Sequence, residues 1–307
     1  MLRLRSCLLA SSLSALALLP ILAAADSKGT APTEPYVVVA GDSLYKLPLG
    51  KFPQDTSTWT VLATDISGQT TPVSISGDGT TVFYVSSQGN SYSVKAVNHD
   101  GTNPRVVFTS PHRIHNVAAN DSGSEVLITK VEFNPARSQL VKVRVSNGQE
   151  TEYKTWTADQ NVVNHPAFPE LGTLDWKGDE AVYQREGKVC LFNLKTKTEN
   201  QLAPGFFPRF EQDGFISFVD ERPVGNYTEF SISRIDKAGA NKHVIIQSRV
   251  INKYGLHPLG NEQYIYQQFF ELPPVGWNGP VHYASPSYVM GGEEVVVGDV
   301  WLPQARR

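Results

Sequence analysis

Seven histidines are the side chains best placed by type to do chemistry in this 307-residue chain: His99, His112, His115, His165, His243, His257 and His282. Three converging imidazoles hold Zn²⁺ or Mn²⁺ and leave a position open for water or substrate. Spacing alone offers only the pair His112-Arg-Ile-His115. His115, His165 and His257, however, each stand just before Asn116, Pro166 and Pro258, at a recurring point of the sequence. These three are therefore the candidate ligands of a divalent metal. The competing reading is that a histidine there only hydrogen-bonds neighbouring loops. Carboxylates are scattered. Asp78, Asp100, Asp121 and Asp213 lie in Gly-containing turns, where an aspartate caps its own backbone, and Asp220-Glu221-Arg222 reads as a charged loop tip. No G-x-S-x-G elbow occurs, which excludes the α/β-hydrolase nucleophile. No G-x-G-x-x-G or Walker pattern occurs, which excludes the common nucleotide sites. No catalytic residue is assigned, and no cofactor is expected beyond the candidate divalent metal.

The second candidate surface is aromatic. Phe269, Phe270, Trp277, Tyr283 and Tyr288 concentrate in the last third of the chain, among Pro273, Pro274, Pro280 and Pro286. The stretch 271–286 lacks alternation and is long for a connection, so it reads as a partner-binding loop. Trp and Tyr on such a loop are favourable interface anchors. The competing reading is that these rings pack the closing part of the fold.

Composition bounds the partners. With 27 Lys+Arg against 30 Asp+Glu the net charge is −3, without the basic excess of a nucleic-acid binder. Twelve Tyr, fourteen Phe and five Trp are too many for a disordered chain. Arg3 and Arg5 precede an apolar run from Cys7 to Ala25, and Ala23, Ala24 and Ala25 fit a cleavage site, so residues 1–25 read as a secretory signal peptide. The run is shorter than the roughly 20 residues a membrane span needs. Cleavage leaves 25 basic and 30 acidic residues, a charge of −5, and Cys190 as the sole cysteine. The expectation is an exported protein, periplasmic or secreted, without stable membrane insertion and held together by packing. Residues 26–35 read as a flexible lead-in and 36–307 as one domain. Asn120 and Asn226 stand in N-glycosylation sequons.

Two-residue alternation dominates the rest, for example over 81–85, 91–97, 125–129, 139–145, 181–184, 188–194, 215–219, 230–235 and 263–267. Turn chemistry separates these strands: Gly77-Asp78-Gly79, Asp100-Gly101, Asp121-Ser122-Gly123, Asn147-Gly148, Lys177-Gly178, Asp213-Gly214 and Gly260-Asn261. No window carries helical apolar spacing outside the leader, so the chain is all-β. A phrase of Pro or Asn, a Gly-containing turn and an apolar-x-apolar strand recurs. Its turns are 43, 57, 36 and 46 residues apart from Asp78 to Gly260. The mean is close to the roughly 40–50 residues of a four-stranded propeller blade. The expectation is about six blades, with copies beginning near Pro72, His115, His165, Phe207 and His257. The tail strand 294–297 then pairs with an N-terminal strand, or completes the last sheet, to close the ring.

The phrase Ser76-Gly-Asp-Gly-Thr-Thr-Val-Phe-Tyr-Val-Ser-Ser, followed by Asn98-His-Asp-Gly-Thr-Asn-Pro-Arg-Val-Val, resembles the repeat of TolB-like (WD40-like, PD40) β-propellers. Gly77 stands where that family usually has Pro, and the other copies keep only the turn and strand. The resemblance implies a propeller serving as a protein- or envelope-binding scaffold without catalysis of its own. The chain shows no sign of the additional N-terminal α/β domain of TolB itself. The alternative is a metal-assisted lyase or hydrolase acting on a polysaccharide or small molecule at a His-lined channel mouth. A third reading is a sugar-binding module using aromatic platforms.

Overall fold

The computed structural model describes residues 29–49, 56–66, 72–133, 136–157, 171–224, 227–248, 251–260, 263–270, 282–285, 288–291 and 296–301. The described strands pair into four-stranded antiparallel sheets, each made mostly from one continuous run of chain. The first sheet holds β1 (Tyr36–Ala40), β2 (Leu44–Pro48) and β3 (Thr60–Ala63). The second holds β4 (Val73–Ile75), β5 (Thr81–Gln88), β6 (Ser91–Asn98) and β7 (Arg105–Ser110). The third holds β8 (Arg113–Ala119), β9 (Glu125–Phe133), β10 (Ala136–Arg144) and β11 (Glu150–Thr157). The fourth holds β12 (Leu171–Lys177), β13 (Glu180–Arg185), β14 (Lys188–Asn193) and β15 (Thr198–Pro204). The fifth holds β16 (Phe206–Phe210), β17 (Ile216–Val224), β18 (Tyr227–Ile235) and β19 (His243–Ser248). The last run holds β20 (Ile251–Gly260), β21 (Gln263–Phe270), β22 (His282–Ser285) and β23 (Tyr288–Gly291). The tail strand β24 (Val296–Trp301) pairs antiparallel with β1 and gives the first sheet the order β24-β1-β2-β3.

This is a β-propeller. The leading strand of each sheet lies against its predecessor: β8 on the second sheet, β12 on the third, β16 on the fourth and β20 on the fifth. Alternating residues of the middle strands feed the two flanking cores. Val82 and Tyr84 join a cluster with Tyr36, Val38 and Leu62 of the first sheet. Phe83 and Val85 join one with Val126, Ile128 and Val141 of the third. Leu127 turns the other way, onto Trp176, Tyr183 and Cys190 of the fourth. The middle strands are thus buried on both faces (β5 from Thr81 to Ser86), rather than half-solvated as two-residue alternation suggests. Cys190 belongs to this packing, and burial pushes its thiol up to about 12, which makes it inert.

The turns behave as their composition requires. Gly79, Gly101, Gly123, Gly148, Gly178 and Gly214 all have positive φ. Asp78 Oδ1 accepts bonds from Thr80 N (3.0 Å), Thr80 Oγ1 (2.8 Å) and Ser76 Oγ (2.6 Å), so it closes its own turn. Asp100 does the same with Thr102, and Asp213 with Phe215 N. The departure at Gly77 has a physical cause. A Cβ there would lie 2.6 Å from Asp121 Oδ1 and 2.7 Å from Asp121 Cα, and Gly77 N donates to Asn120 O (3.3 Å), a bond proline cannot make.

The segment expected as a flexible lead-in is engaged where it is described. Thr30 O accepts from the His99 ring at 2.8 Å, and Gly29 lies against Asn98. Asn120 of the first sequon serves its turn: its Oδ1 accepts from Glu125 N (3.2 Å) and its Nδ2 donates to Ser124 Oγ (3.1 Å). Residues 1–25, expected as a signal peptide, and Asn226 lie outside the described residues.

Candidate functional site at the rim between the first two sheets

The outer strands share a device that the turn phrases do not reveal. Each outer strand of the first five sheets carries one extra residue against its partner: Leu62 in β3, Val107 in β7, Tyr153 in β11, Leu202 in β15 and Ile245 in β19. All five are apolar and at least partly buried, because the bulge turns the extra side chain toward the sheet interface. Their separations are 45, 46, 49 and 43 residues, more regular than the turns.

The residue before each bulge faces outward, and its identity differs from sheet to sheet. It is Val61 in β3, Val106 in β7, Glu152 in β11, Gln201 in β15 and Val244 in β19. Among the described residues only four large hydrophobics are exposed, and three of them are these valines: Val61 at 51%, Val106 at 60% and Val244 at 49%. Val61 and Val106 belong to adjacent sheets and line the same groove, of about 460 Å³, with Pro104 and Arg105. Its polar centre is Asp65, which accepts from Tyr84 OH (3.0 Å) and pairs with Lys95. Burial alone would raise the Asp65 carboxyl, but Lys95 and Tyr84 hold it below the usual carboxylate range. The groove therefore offers apolar rims, the Asp65–Lys95 ion pair and the outermost strands of two sheets.

The residues expected from sequence to form a site are distributed otherwise. His115 is the bulged residue of β8, in the third sheet. His257 lies in β20, opposite Ile265 and close to the turn end of that strand, and is buried. The two thus belong to different sheets, one bulged and one paired, and His165 lies outside the described residues. Among the described residues no three His, Cys, Asp or Glu side chains are grouped to hold a metal ion. His112 instead faces Glu132, at 3.4 Å, which also pairs with Arg137. Phe269 and Phe270 end strand β21, Tyr283 is in β22 and Tyr288 opens β23. The stretch expected as one long loop thus contains a strand at 282–285. Trp277 lies outside the described residues. Sequence reading missed Val61 and Val106. The signal that finds them is the pair Val61-Leu62 returning 45 residues later as Val106-Val107.

No protein-family model matches the sequence, and no curated protein matches it. Solved structures match in fold. A chain of a nidogen–laminin complex is 11% identical, with a TM-score of 0.58, covering 89% of this chain and 95% of that one. TolB from Acinetobacter baumannii is 10% identical (TM-score 0.54), covering 77% of this chain. This chain spans 60% of the length of that TolB. An oligogalacturonate lyase from Vibrio parahaemolyticus is 13% identical (TM-score 0.54), covering 83% of this chain and 73% of the lyase. At these identities the likeness is one of fold, and the chain has the β-propeller fold that TolB also has.

Proposed function

We propose that this chain is an exported β-propeller scaffold, without catalysis of its own, that binds a protein of the cell envelope or exterior by taking an extended segment of it into the groove between β3 and β7. One observation carries the reading. The outward position before each outer-strand bulge accepts Glu152 and Gln201 in two sheets, so the fold does not require the exposed Val61 and Val106 that flank the groove. Edge strands offer backbone N–H and C=O groups to a chain laid beside them, and apolar rims add contact area. The fold likeness to TolB and to a chain crystallised as a nidogen–laminin complex supports a binding role. Export rests on the leader-like residues 1–25. Closure of the ring is part of this reading, supported by the β1–β24 pairing and by β24 lying against both β4 and β20. Phe269, Phe270, Trp277, Tyr283 and Tyr288 supply a second contact surface in this reading.

The test is partner capture from the native envelope or secreted fraction with three forms of the mature chain. The wild-type chain and a Glu152→Ala/Gln201→Ala variant retain the same partner. A Val61→Asp/Val106→Asp variant loses it. Equal retention by all three forms removes the groove from the function.

A further inference from the structure

We infer that His99 pins an acid-sensitive joint between the lead-in segment, the first sheet and the second sheet. His99 follows β6 and is 8% exposed. Its Nδ1 stands 2.8 Å from Lys46 Nζ of β2, and its Nε2 stands 2.8 Å from the carbonyl oxygen of Thr30. An ammonium only donates and a carbonyl only accepts, so the two contacts together require the neutral ring with its proton on Nε2. The same Lys46 ammonium lies over the Tyr36 ring at 4.8 Å, and the Tyr36 and His99 rings are 5.9 Å apart. Tyr36 in turn donates to Gly79 O (2.8 Å), and His99 N donates to Thr80 O (3.0 Å). Three segments distant in sequence therefore meet on one imidazole.

Proton uptake breaks this arrangement at a defined atom. A proton on Nδ1 abolishes the acceptor for Lys46 and sets an imidazolium N–H against an ammonium in a poorly solvated place. The Nε2–Thr30 bond persists, so Lys46 is the group that must withdraw, and β2 loses its side-chain hydrogen bond to His99 while Leu44 stays packed on the second sheet. The other charged and titratable groups facing the joint are Glu34, Asp100 and Tyr36. Glu34 favours the Lys46 charge, and Asp100 favours charge on both Lys46 and His99. Against Asp100 and the Thr30 carbonyl, burial and then the Lys46 charge hold His99 below its usual value, and burial lowers Lys46. A lowered value in the folded state means the unfolded state takes up the proton first. The joint is therefore intact above the unfolded value of about 6.5 and is lost as pH falls through the folded one.

The experiment uses the mature chain without any partner, so its outcome is independent of the groove. Proton NMR follows the His99 ring through pH, with the resonance assigned by its loss in His99→Gln. Amide exchange is compared between about pH 7.5 and about pH 5, after correction for intrinsic rates. The expected results are a His99 midpoint below the ordinary histidine value and a loss of protection in residues 29–35 and β2 that β9 and β10 do not share. Lys46→Met should raise the midpoint and abolish the selective loss. A wild-type midpoint at or above the ordinary value overturns the proposal, as does a midpoint unmoved by Lys46→Met. Acid loss spread evenly over all sheets overturns it too, and the wild-type titration decides even where a variant folds poorly.

Discussion

The rims of the first and second sheets and of the third and fourth are built on the same bulge but present opposite chemistry. In β3 and β7 the outward residues are Val61 and Val106, both more than half exposed, whereas β11 and β15 carry Glu152 and Gln201. The polar pair is satisfied within its own sheets: Glu152 accepts from Gln139 Nε2 (2.8 Å) and Thr155 Oγ1 (2.6 Å), and Gln201 accepts from Lys188 Nζ (3.1 Å). The cleft between the third and fourth sheets, about 380 Å³, likewise closes its charges on itself through Glu125–Lys142 (3.0 Å) and Asp179–Lys195 (2.6 Å). The architecture fixes the inward bulge residue and leaves its neighbour free. Folding therefore does not dictate the free position, which is valine in β3, β7 and β19 and polar in β11 and β15.

The comparison is sharpened first by the inward residues, where the largest effect is expected. Leu62→Ala should cost about 2–4 kcal/mol in urea unfolding, since a buried leucine leaves a cavity. Leu202→Ala, at the same place in β15 but only half-buried, should cost less, about 1–2 kcal/mol. The outward residues should separate binding from stability. Val61→Asp with Val106→Asp should weaken partner binding more than about tenfold, or about 1.4 kcal/mol. Unfolding free energy should stay within about 0.5 kcal/mol of wild type. A stability loss as large as that of Leu62→Ala would erase the distinction between the two positions.

Smaller effects test the charges. Asp65 is held below the unfolded carboxyl value of about 3.9, so its contribution is present in full above that value and is lost as pH falls through the folded one. Being half-exposed, it should contribute less than about 1 kcal/mol, and Asp65→Asn should remove that part of the acid sensitivity near pH 4 in a pH series of melts. On the other rim, Asp179→Asn should change stability by no more than about 0.5 kcal/mol, because its pair with Lys195 is exposed, and Glu125→Gln by no more than about 1 kcal/mol, because its pair with Lys142 is partly buried.

The contrast also shows where the fold was legible. The middle hairpin of β5 and β6 was readable at 81–85 and 91–97 because its strands are rich in β-branched and aromatic residues and Gly79 and Gly101 mark its ends. Outer strands were mostly not. Inserting Leu62 or Val107 shifts the side-chain period by one, so the alternation that identifies a strand breaks inside it. Leading strands such as Val73–Ile75 are too short to show a period. The candidate site escaped for the same reason, since Val61 and Val106 become neighbours only after the outer strands are placed. His115 and His257 stand differently in their strands. Both precede a similar local phrase, yet one is a bulged residue and the other is paired with Ile265, so equal sequence context did not mean equal pairing.

The most direct measurement places a photoreactive residue at position 61, 106, 152 or 201 in turn and irradiates the protein in its native compartment. The account predicts one adduct of a single partner from positions 61 and 106 and none from 152 and 201. Adducts of equal yield from all four positions, or none from 61 and 106, would contradict it.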